Sequence, residues 1–118
     1  MTRTVFVNGQ YVPEDQAQVS IFDRGFVFGD GIYEVVPVIG GKMVDKAPFL
    51  ERLKRSLGEL RIEMPMSDAD YLAMHDKLIE LNAIDEGGVY SQITRGAADR
   101  DFAFPKAATP SVAAFTMK

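Results

Sequence analysis

Two segments in the first half of the chain have the pattern of a β-hairpin, in which runs of mostly apolar and β-branched residues flank a turn-forming pair. The two pairs are Asn8-Gly9 and Gly40-Gly41. The flanking runs are residues 4–7 and 10–12 around the first pair, and residues 33–39 and 42–44 around the second. Both dipeptides favour the two-residue turns that join antiparallel strands. The pattern therefore predicts two hairpins.

Pro37 lies inside the second predicted hairpin. Because proline has no backbone N–H, it cannot complete a hydrogen-bond ladder on both sides of a strand. We therefore expect this strand to lie at an edge, beside a bulge, or against something other than a strand at Pro37.

Two segments in the middle of the chain repeat their apolar residues every three or four positions, which is the spacing of an amphipathic helix. In residues 46–60 the apolar stripe consists of Phe49, Leu50, Leu53, Leu57 and Leu60. Pro48 is compatible with the first turn of such a helix. The second segment follows Ser67, a favourable N-cap residue, and ends near Asn82. We predict one helix in each segment.

The last third of the chain contains two further strand patterns around a polar loop. In residues 87–96 a drier face alternates with a more polar one; the two sets are Val89, Ser91 and Ile93 against Tyr90, Gln92 and Thr94. Residues 97–110 are predicted as a loop, and "SVAAFTMK" as a last strand. Two hairpins, two helices and two strands, without regular βαβ alternation, predict an α+β fold with two helices packed on an antiparallel sheet. We expect residues 1–118 to form one small domain.

Composition and charge exclude several classes of function. Apolar residues make up 47% of the chain and charged residues 25%, as in an ordinary globular domain. The net charge is −4 and the 13 lysines and arginines are scattered, which argues against a nucleic-acid partner. With no cysteine and one histidine, a disulfide framework and a His/Cys metal site are excluded. No apolar run approaches the length of a membrane span, so we expect no membrane partner and a cytoplasmic protein.

Several residues could bind an anion, although each also has an ordinary structural interpretation. Gly29-Asp30-Gly31 could approach a phosphate with its backbone, but it lacks the spacing of the known phosphate loops, which favours a plain turn. Arg52 lies on the flank of the first predicted helix, where a solvated arginine is common. Arg95 and Arg100 could grip a carboxylate with a bidentate fork, or form part of a solvated loop.

Two further side chains have a functional and a structural interpretation in the same way. Tyr33 opens the strand after Gly31, where its hydroxyl can point to the opposite face from the next side chain, although such a tyrosine is usually part of the core edge. His75 lies among apolar residues of the second predicted helix, without the partners of a catalytic base, and we interpret it as structural.

Three segments taken in order resemble the N-terminal domain of the fold-type IV aminotransferases, which use pyridoxal phosphate (PLP). They are "VNGQYVPEDQAQVSIFDRGFVFGDGIYEVVPV", "FLERLKRSL" and "GGVYSQITRG", and "DRGFVFGDGIYEVV" is the most specific part. Within that class the chain looks most like the D-amino acid aminotransferases. The resemblance implies transfer of an amino group between a D-amino acid and a 2-keto acid.

The resemblance also implies roles for particular residues. The arginine of the "ERL" motif, Arg52, would bind the cofactor phosphate, and Tyr33 and Tyr90 would belong to the substrate pocket. Arg100 would reach into the site of a neighbouring subunit and grip the substrate carboxylate, so the enzyme would be a homodimer with shared sites. Phe102 stands where the D-amino acid enzymes usually have a histidine. Since phenylalanine donates no hydrogen bond, it would favour apolar substrate surface.

By the same resemblance, the Schiff-base lysine and the glutamate that holds the pyridine nitrogen lie in a second domain. None of the chain's lysines stands in the family's lysine motif. We therefore expect residues 1–118 to be an N-terminal domain that has no catalytic residue of its own and is inactive alone. Branched-chain aminotransferases, amine transaminases and aminodeoxychorismate lyases share this architecture and remain alternatives, as does a non-catalytic dimerising or binding fragment.

Overall fold

The computed structural model describes residues 2–118, which form a six-stranded antiparallel sheet with accompanying helices. The strands are β1 (Thr4–Val7), β2 (Gln10–Pro13), β3 (Gly31–Ile39), β4 (Lys42–Met43), β5 (Glu86–Thr94) and β6 (Ser111–Met117). The helices are α1 (Arg24–Phe28), α2 (Lys46–Leu60) and α3 (Asp68–Leu81), and residues Glu14–Gln16 form a short 3-10 turn. In space the strands follow the order β2-β1-β6-β5-β3-β4. The predicted α+β fold is confirmed.

Both predicted hairpins are present, and the position of Pro37 follows from the shape of the second one. Strand β4 pairs only with Val38 and Ile39 of β3. The carbonyl of Pro37 accepts a hydrogen bond from the N–H of Val44 at 2.8 Å, just beyond the end of β4. The N–H that Pro37 lacks would point to the same side, where no strand lies opposite it. At Pro37, β3 therefore lies against a segment that is not a strand, which is one of the three predicted alternatives.

Helices α2 and α3 cover one face of the sheet and build the core with it. The apolar stripe of α2 buries Phe49, Leu53 and Leu57, and α3 begins at the predicted cap, where Ser67 Oγ accepts a hydrogen bond from the N–H of Asp70 at 3.1 Å. From the sheet, the core receives Phe6, Val36, Val38, Val89, Ile93, Val112 and Ala114. None of the helices in residues 2–118 is long and apolar enough to cross a membrane.

A third helix, α1, was not predicted from the sequence and corrects the expectation of two helices. Asp23 caps it by accepting a hydrogen bond from the N–H of Gly25 at 2.8 Å, and Gly29 ends it with a φ of 67°. Gly25 packs so closely on Thr94 that any Cβ would collide with the Thr94 side chain. Thr94 is therefore buried, although the alternation along β5 predicted it on the polar face.

His75 is a core residue, as interpreted from the sequence. Its ring is fully buried between Phe49 and Tyr71, with ring centroids 5.2 and 4.8 Å away. Nδ1 lies 2.7 Å from the carbonyl oxygen of Tyr71, and because a carbonyl only accepts, Nδ1 carries the hydrogen. Nε2 has no hydrogen-bond partner within the described residues. Burial lowers the pKa of His75, although the Tyr71 carbonyl and the charge of Asp76 act in the opposite direction.

The lowered pKa makes stability dependent on pH in the acidic range. The unfolded chain takes up a proton near pH 6.5, whereas the buried ring resists it, so stability is lost as the pH falls below about 6.5. The slope that one proton can cause has an upper limit of about 1.4 kcal/mol per pH unit. Urea denaturation between pH 5.5 and 7.5 measures it. His75→Asn, which keeps a donor for the Tyr71 carbonyl, should flatten the slope. An equal slope in both proteins would show that His75 does not cause the pH dependence of stability.

Candidate active site

The sheet face opposite α2 and α3, called the open face below, carries a row of stacked aromatic rings. Tyr33 stacks on Tyr90 with ring centroids 5.4 Å apart, and Tyr90 stacks on Phe115 at 4.8 Å. The Tyr90 hydroxyl donates a hydrogen bond to Gln92 Oε1 at 2.8 Å, and burial, with a smaller contribution from Tyr33, raises the pKa of Tyr90. Tyr33 is 63% exposed. The two tyrosines predicted to bind substrate therefore lie together.

Arg52 is held from one side by a carboxylate of the neighbouring strand. Its Nε and Nη2 lie 3.1 and 3.0 Å from the same oxygen of Glu34, which is more buried than the arginine. Within residues 2–118, Nη1 makes no hydrogen bond. A half-exposed ion pair adds at most about 1 kcal/mol to stability, so the main effect of Glu34 is to orient the guanidinium. One side of the Arg52 fork is thereby left open for an anion.

The Arg52 guanidinium, which comes from α2, and the Tyr33 side chain lie on opposite sides of strand β3. Consecutive side chains of a strand point to opposite sides, so Glu34 faces α2 while Tyr33 belongs to the open face. Because β4 pairs only with the end of β3, residues 31–36 form a free strand edge between the two. The structure thus places Arg52 and Tyr33 around one strand edge, without direct contact between them.

The loop after β5 exposes the other two predicted site residues beside α1. The Arg100 guanidinium lies 5.2 Å from the ring of Phe28 and 5.0 Å from the ring of Phe102. Phe102 is 77% exposed and packs on Phe28 with ring centroids 5.6 Å apart. Within residues 2–118, no carboxylate lies within ion-pair distance of Arg100. Arg100 is therefore a cation set among aromatic rings and available to a ligand.

Asp30 lies at the centre of a buried cluster of charges, called the Asp30 cluster below, that comprises Arg24, Asp30 and Arg95. Asp30 Oδ2 accepts hydrogen bonds from Arg24 Nε at 2.8 Å and from Arg95 Nε at 2.7 Å. All three side chains are at most 10% exposed. Burial alone would raise the pKa of Asp30, but the hydrogen bonds and charges of Arg95 and Arg24 lower it overall. Asp30 is thus ionised and bound on both sides.

The Asp30 cluster changes the interpretation of two motifs. Gly29-Asp30-Gly31 is neither a phosphate loop nor a plain turn, since Gly29 ends α1, Gly31 begins β3, and Asp30 binds two arginines. Arg95 does grip a carboxylate, but it is that of Asp30, and it also donates to the Leu60 carbonyl at the end of α2 at 2.7 Å. Nothing in the sequence indicated the Asp30 cluster directly. Two of its residues, Arg24 and Asp30, lie in "DRGFVFGDG", which belongs to the most specific part of the family resemblance.

The chemistry available here is the binding of anions. Arg52 and Arg100 offer guanidinium donors and Tyr33 a neutral hydroxyl, which suit phosphate and carboxylate groups. Within residues 2–118, no group of three or more histidine, aspartate or glutamate side chains could hold a metal ion. The one histidine is enclosed in the core.

Comparison with known proteins finds relatives among aminotransferases and a lyase. The chain is 39% identical over 113 residues to the D-alanine aminotransferase of Staphylococcus aureus (strain N315), a match that covers 95% of this chain and 40% of that protein. Among solved structures, the 4-amino-4-deoxychorismate lyase from Pseudomonas aeruginosa superimposes with a TM-score of 0.75 at 27% identity, covering 96% of this chain and 39% of that one. The chain thus spans about two fifths of the relatives' length.

A second solved structure has a backbone more similar to this chain than that of the lyase, but a less similar sequence. It is the branched-chain aminotransferase of the thermophilic archaeon Thermoproteus uzoniensis with norvaline, which has a TM-score of 0.85 at 16% identity and covers 99% of this chain and 41% of that one. At this identity the likeness shows a shared fold. The family model described as Amino-transferase class IV matches residues 31–118. The resemblance inferred from the sequence is therefore confirmed, and the chain belongs to the class IV aminotransferases, the fold-type IV family.

Proposed function

We propose that this chain forms the N-terminal part of a PLP-dependent aminotransferase that moves an amino group between a D-amino acid and a 2-keto acid. The observation that carries the proposal is the 39% identity to a D-alanine aminotransferase over 113 of the chain's residues. The identity to the Thermoproteus uzoniensis branched-chain enzyme, 16%, is less than half as high although the backbones agree well. The sequence therefore favours the D-amino acid reaction over the branched-chain one.

Arg52 is the residue of this chain that would hold the cofactor. A phosphate dianion prefers a fixed array of donors, and Glu34 fixes the Arg52 guanidinium while leaving Nη1 without a partner in the described residues. The residues present therefore fit a phosphate at this edge of β3. When bound, PLP supplies an electron sink for the bond changes at the Cα of the amino acid.

The remaining predicted residues would bind and orient the substrate. Tyr33 contributes an exposed hydroxyl beside Tyr90, and Arg100 contributes a guanidinium, unpaired within the described residues, for the α-carboxylate. Since the aromatic contacts of Arg100 are with Phe28 and Phe102, and not with the tyrosine pair, we propose that it serves the site of a second subunit in a homodimer. Phe102, largely exposed beside Arg100, would present apolar surface to the substrate side chain.

The proton transfer would depend on groups outside the described site. Two of the chain's lysines have partners of their own, since Lys54 pairs with Asp68 at 2.9 Å and Lys77 lies 4.6 Å from the ring of Tyr11. We propose that the family's lysine and the glutamate at the pyridine nitrogen belong to a second domain, so that residues 1–118 alone are inactive.

An assay of amino donors tests the proposed function. The complete enzyme from the native gene, loaded with PLP and supplied with a 2-keto acid, is given D-alanine, L-leucine or an (R)-amine. We expect D-alanine to be the preferred donor by kcat/KM. Preference for L-leucine or the amine would contradict the D-amino acid assignment and favour a branched-chain or amine transaminase. Pyruvate release from aminodeoxychorismate would identify a lyase, and no reaction with any of these would favour a non-catalytic role.

A further inference from the structure

The loop that carries Arg100 and Phe102 has few hydrogen bonds to the rest of the chain. Within the described residues, those that join residues 99–108 to other parts of the protein come from a single side chain, Arg24. Its Nη1 donates to the carbonyl oxygen of Asp101 at 2.7 Å and lies 3.5 Å from that of Ala103. The two carbonyls flank Phe102 in the sequence. The orientation of this part of the loop therefore depends on where Arg24 lies.

Arg24 is itself fixed by the Asp30 cluster. Its Nε donates to Asp30 Oδ2 while Nη1 is turned to the loop, so the two ends of one planar guanidinium bridge the carboxylate and the loop backbone. The Arg24 side chain is only 5% exposed. A buried arginine that left its carboxylate would leave two charges uncompensated, which is strongly unfavourable. The loop is thus attached to a buried cation that is itself bound to a carboxylate.

Phe28, which follows Arg24 by about one helical turn, packs against the same loop. The Arg24 guanidinium lies 4.7 Å from the Phe28 ring, and the same ring contacts Phe102 and the Arg100 guanidinium. Cation–π contacts of this kind stabilise an arginine without pairing its donors with a carboxylate. Arg100 is therefore held in place while its N–H groups stay available.

We infer that Arg24, together with Phe28, positions Arg100 and Phe102 for substrate binding. Neither residue touches the substrate in this arrangement; they act through the loop. The inference rests on the proposed function, because it assigns a purpose to the position of Arg100. The inference also extends the proposed function. Recognition of the substrate carboxylate by Arg100 would then depend on Arg24, a buried residue more than 70 positions earlier in the chain.

The main test is Arg24→Lys in the complete, PLP-loaded enzyme. Lysine keeps a positive charge beside Asp30, but its single ammonium group cannot bridge the carboxylate and the loop as the guanidinium does. We expect the loop of residues 98–110 to become more mobile, so that limited digestion by trypsin after Arg100 or Lys106 becomes about tenfold faster or more, as for the loss of a charge-assisted hydrogen bond. The matched control is Arg55→Lys, since Arg55 is exposed on α2 and its replacement should leave cleavage in the loop and the kinetics unchanged.

A kinetic comparison shows whether the loosened loop matters for the substrate. We expect Arg24→Lys to raise KM for D-alanine by about tenfold, with little change for an amine that lacks a carboxylate. Arg100→Ala, measured beside it, should show the same selectivity more strongly, because it removes the guanidinium itself. A general loss of structure would affect both donors alike.

The outcomes separate this inference from the proposed function. An unchanged rate of cleavage in the loop would overturn the inference. Faster cleavage without a change in KM for Arg24→Lys would also overturn it, provided that Arg100→Ala does raise KM. If neither variant alters KM although the loop of Arg24→Lys is cleaved faster, Arg24 does hold the loop, and the role proposed for Arg100 is wrong. Should Arg24→Lys not fold, Phe28→Leu leaves the Asp30 cluster intact, and the same two measurements decide.

Discussion

Asp30→Asn is expected to lower the free energy of unfolding by about 3–5 kcal/mol, the usual cost of removing one partner from a buried ion pair. Asparagine has nearly the same shape, so the substitution removes the charge without creating a cavity. It leaves the guanidinium groups of Arg24 and Arg95 buried without a countercharge, although both side chains are at most 10% exposed. The effect is large because two cations depend on one carboxylate.

Urea denaturation at pH 7, followed by circular dichroism, measures this change through a lower midpoint at an unchanged slope. The matched control is Glu14→Gln, which removes the carboxylate of the exposed pair with Arg3. We expect the control to change stability far less, because exposed pairs contribute little. Equal losses in the two variants would show that the Asp30 cluster does not stabilise the fold. Acid should also matter, since the lowered pKa of Asp30 implies stability that is lost as the pH falls below about 3.8.

Arg52→Ala is expected to weaken the retention of PLP by roughly 30-fold or more, corresponding to at least about 2 kcal/mol. The reason is that a phosphate dianion at the edge of β3 would lose its guanidinium partner. Reconstitution of the apoenzyme with increasing PLP, followed by cofactor absorbance, measures the affinity. Arg55→Ala, three positions further along the same helix, controls for the loss of charge and of helix surface.

Glu34→Gln refines the same experiment. If Glu34 acts by orienting Arg52, the affinity for PLP should fall by less than in Arg52→Ala, because the arginine remains but is held less firmly. An affinity that is the same in Arg52→Ala and in the unchanged protein would remove Arg52 from the phosphate role, whatever Glu34→Gln does.

The elements that the sequence predicted are those specified by neighbouring residues. Asn8-Gly9 and Gly40-Gly41 define their hairpins because the turn chemistry is contained in two residues. The apolar stripe of α2 spans four turns, enough to define both of its ends, and Ser67 marks the start of α3 within one residue. Local patterns of this length determine the type and the ends of an element with little influence from the rest of the fold.

The parts that could not be predicted depend on residues far apart in the sequence. Helix α1 has only five residues, too few for an apolar period to be seen, and it is fixed by the Asp23 cap and by the contact of Gly25 with Thr94. Asp30 and Arg95 are 65 positions apart, so nothing in either segment indicates their pairing. The site residues were named through the family resemblance; the structure adds how Glu34 and Arg24 hold them.

The place of β6 in the sheet has a consequence for the synthesis of the protein on the ribosome. Strand β6 lies between β1 and β5, and Phe6 of β1 pairs with Ala114. The N-terminal hairpin leaves the ribosome early, yet the strand that joins it to the remaining sheet is made roughly 100 residues later. At about 5–20 residues per second, one edge of β1 stays unpaired for roughly 5 to 20 seconds. During that time the N-terminal segment exposes apolar side chains that β6 and the rest of the sheet later cover, so it is open to contact with other chains.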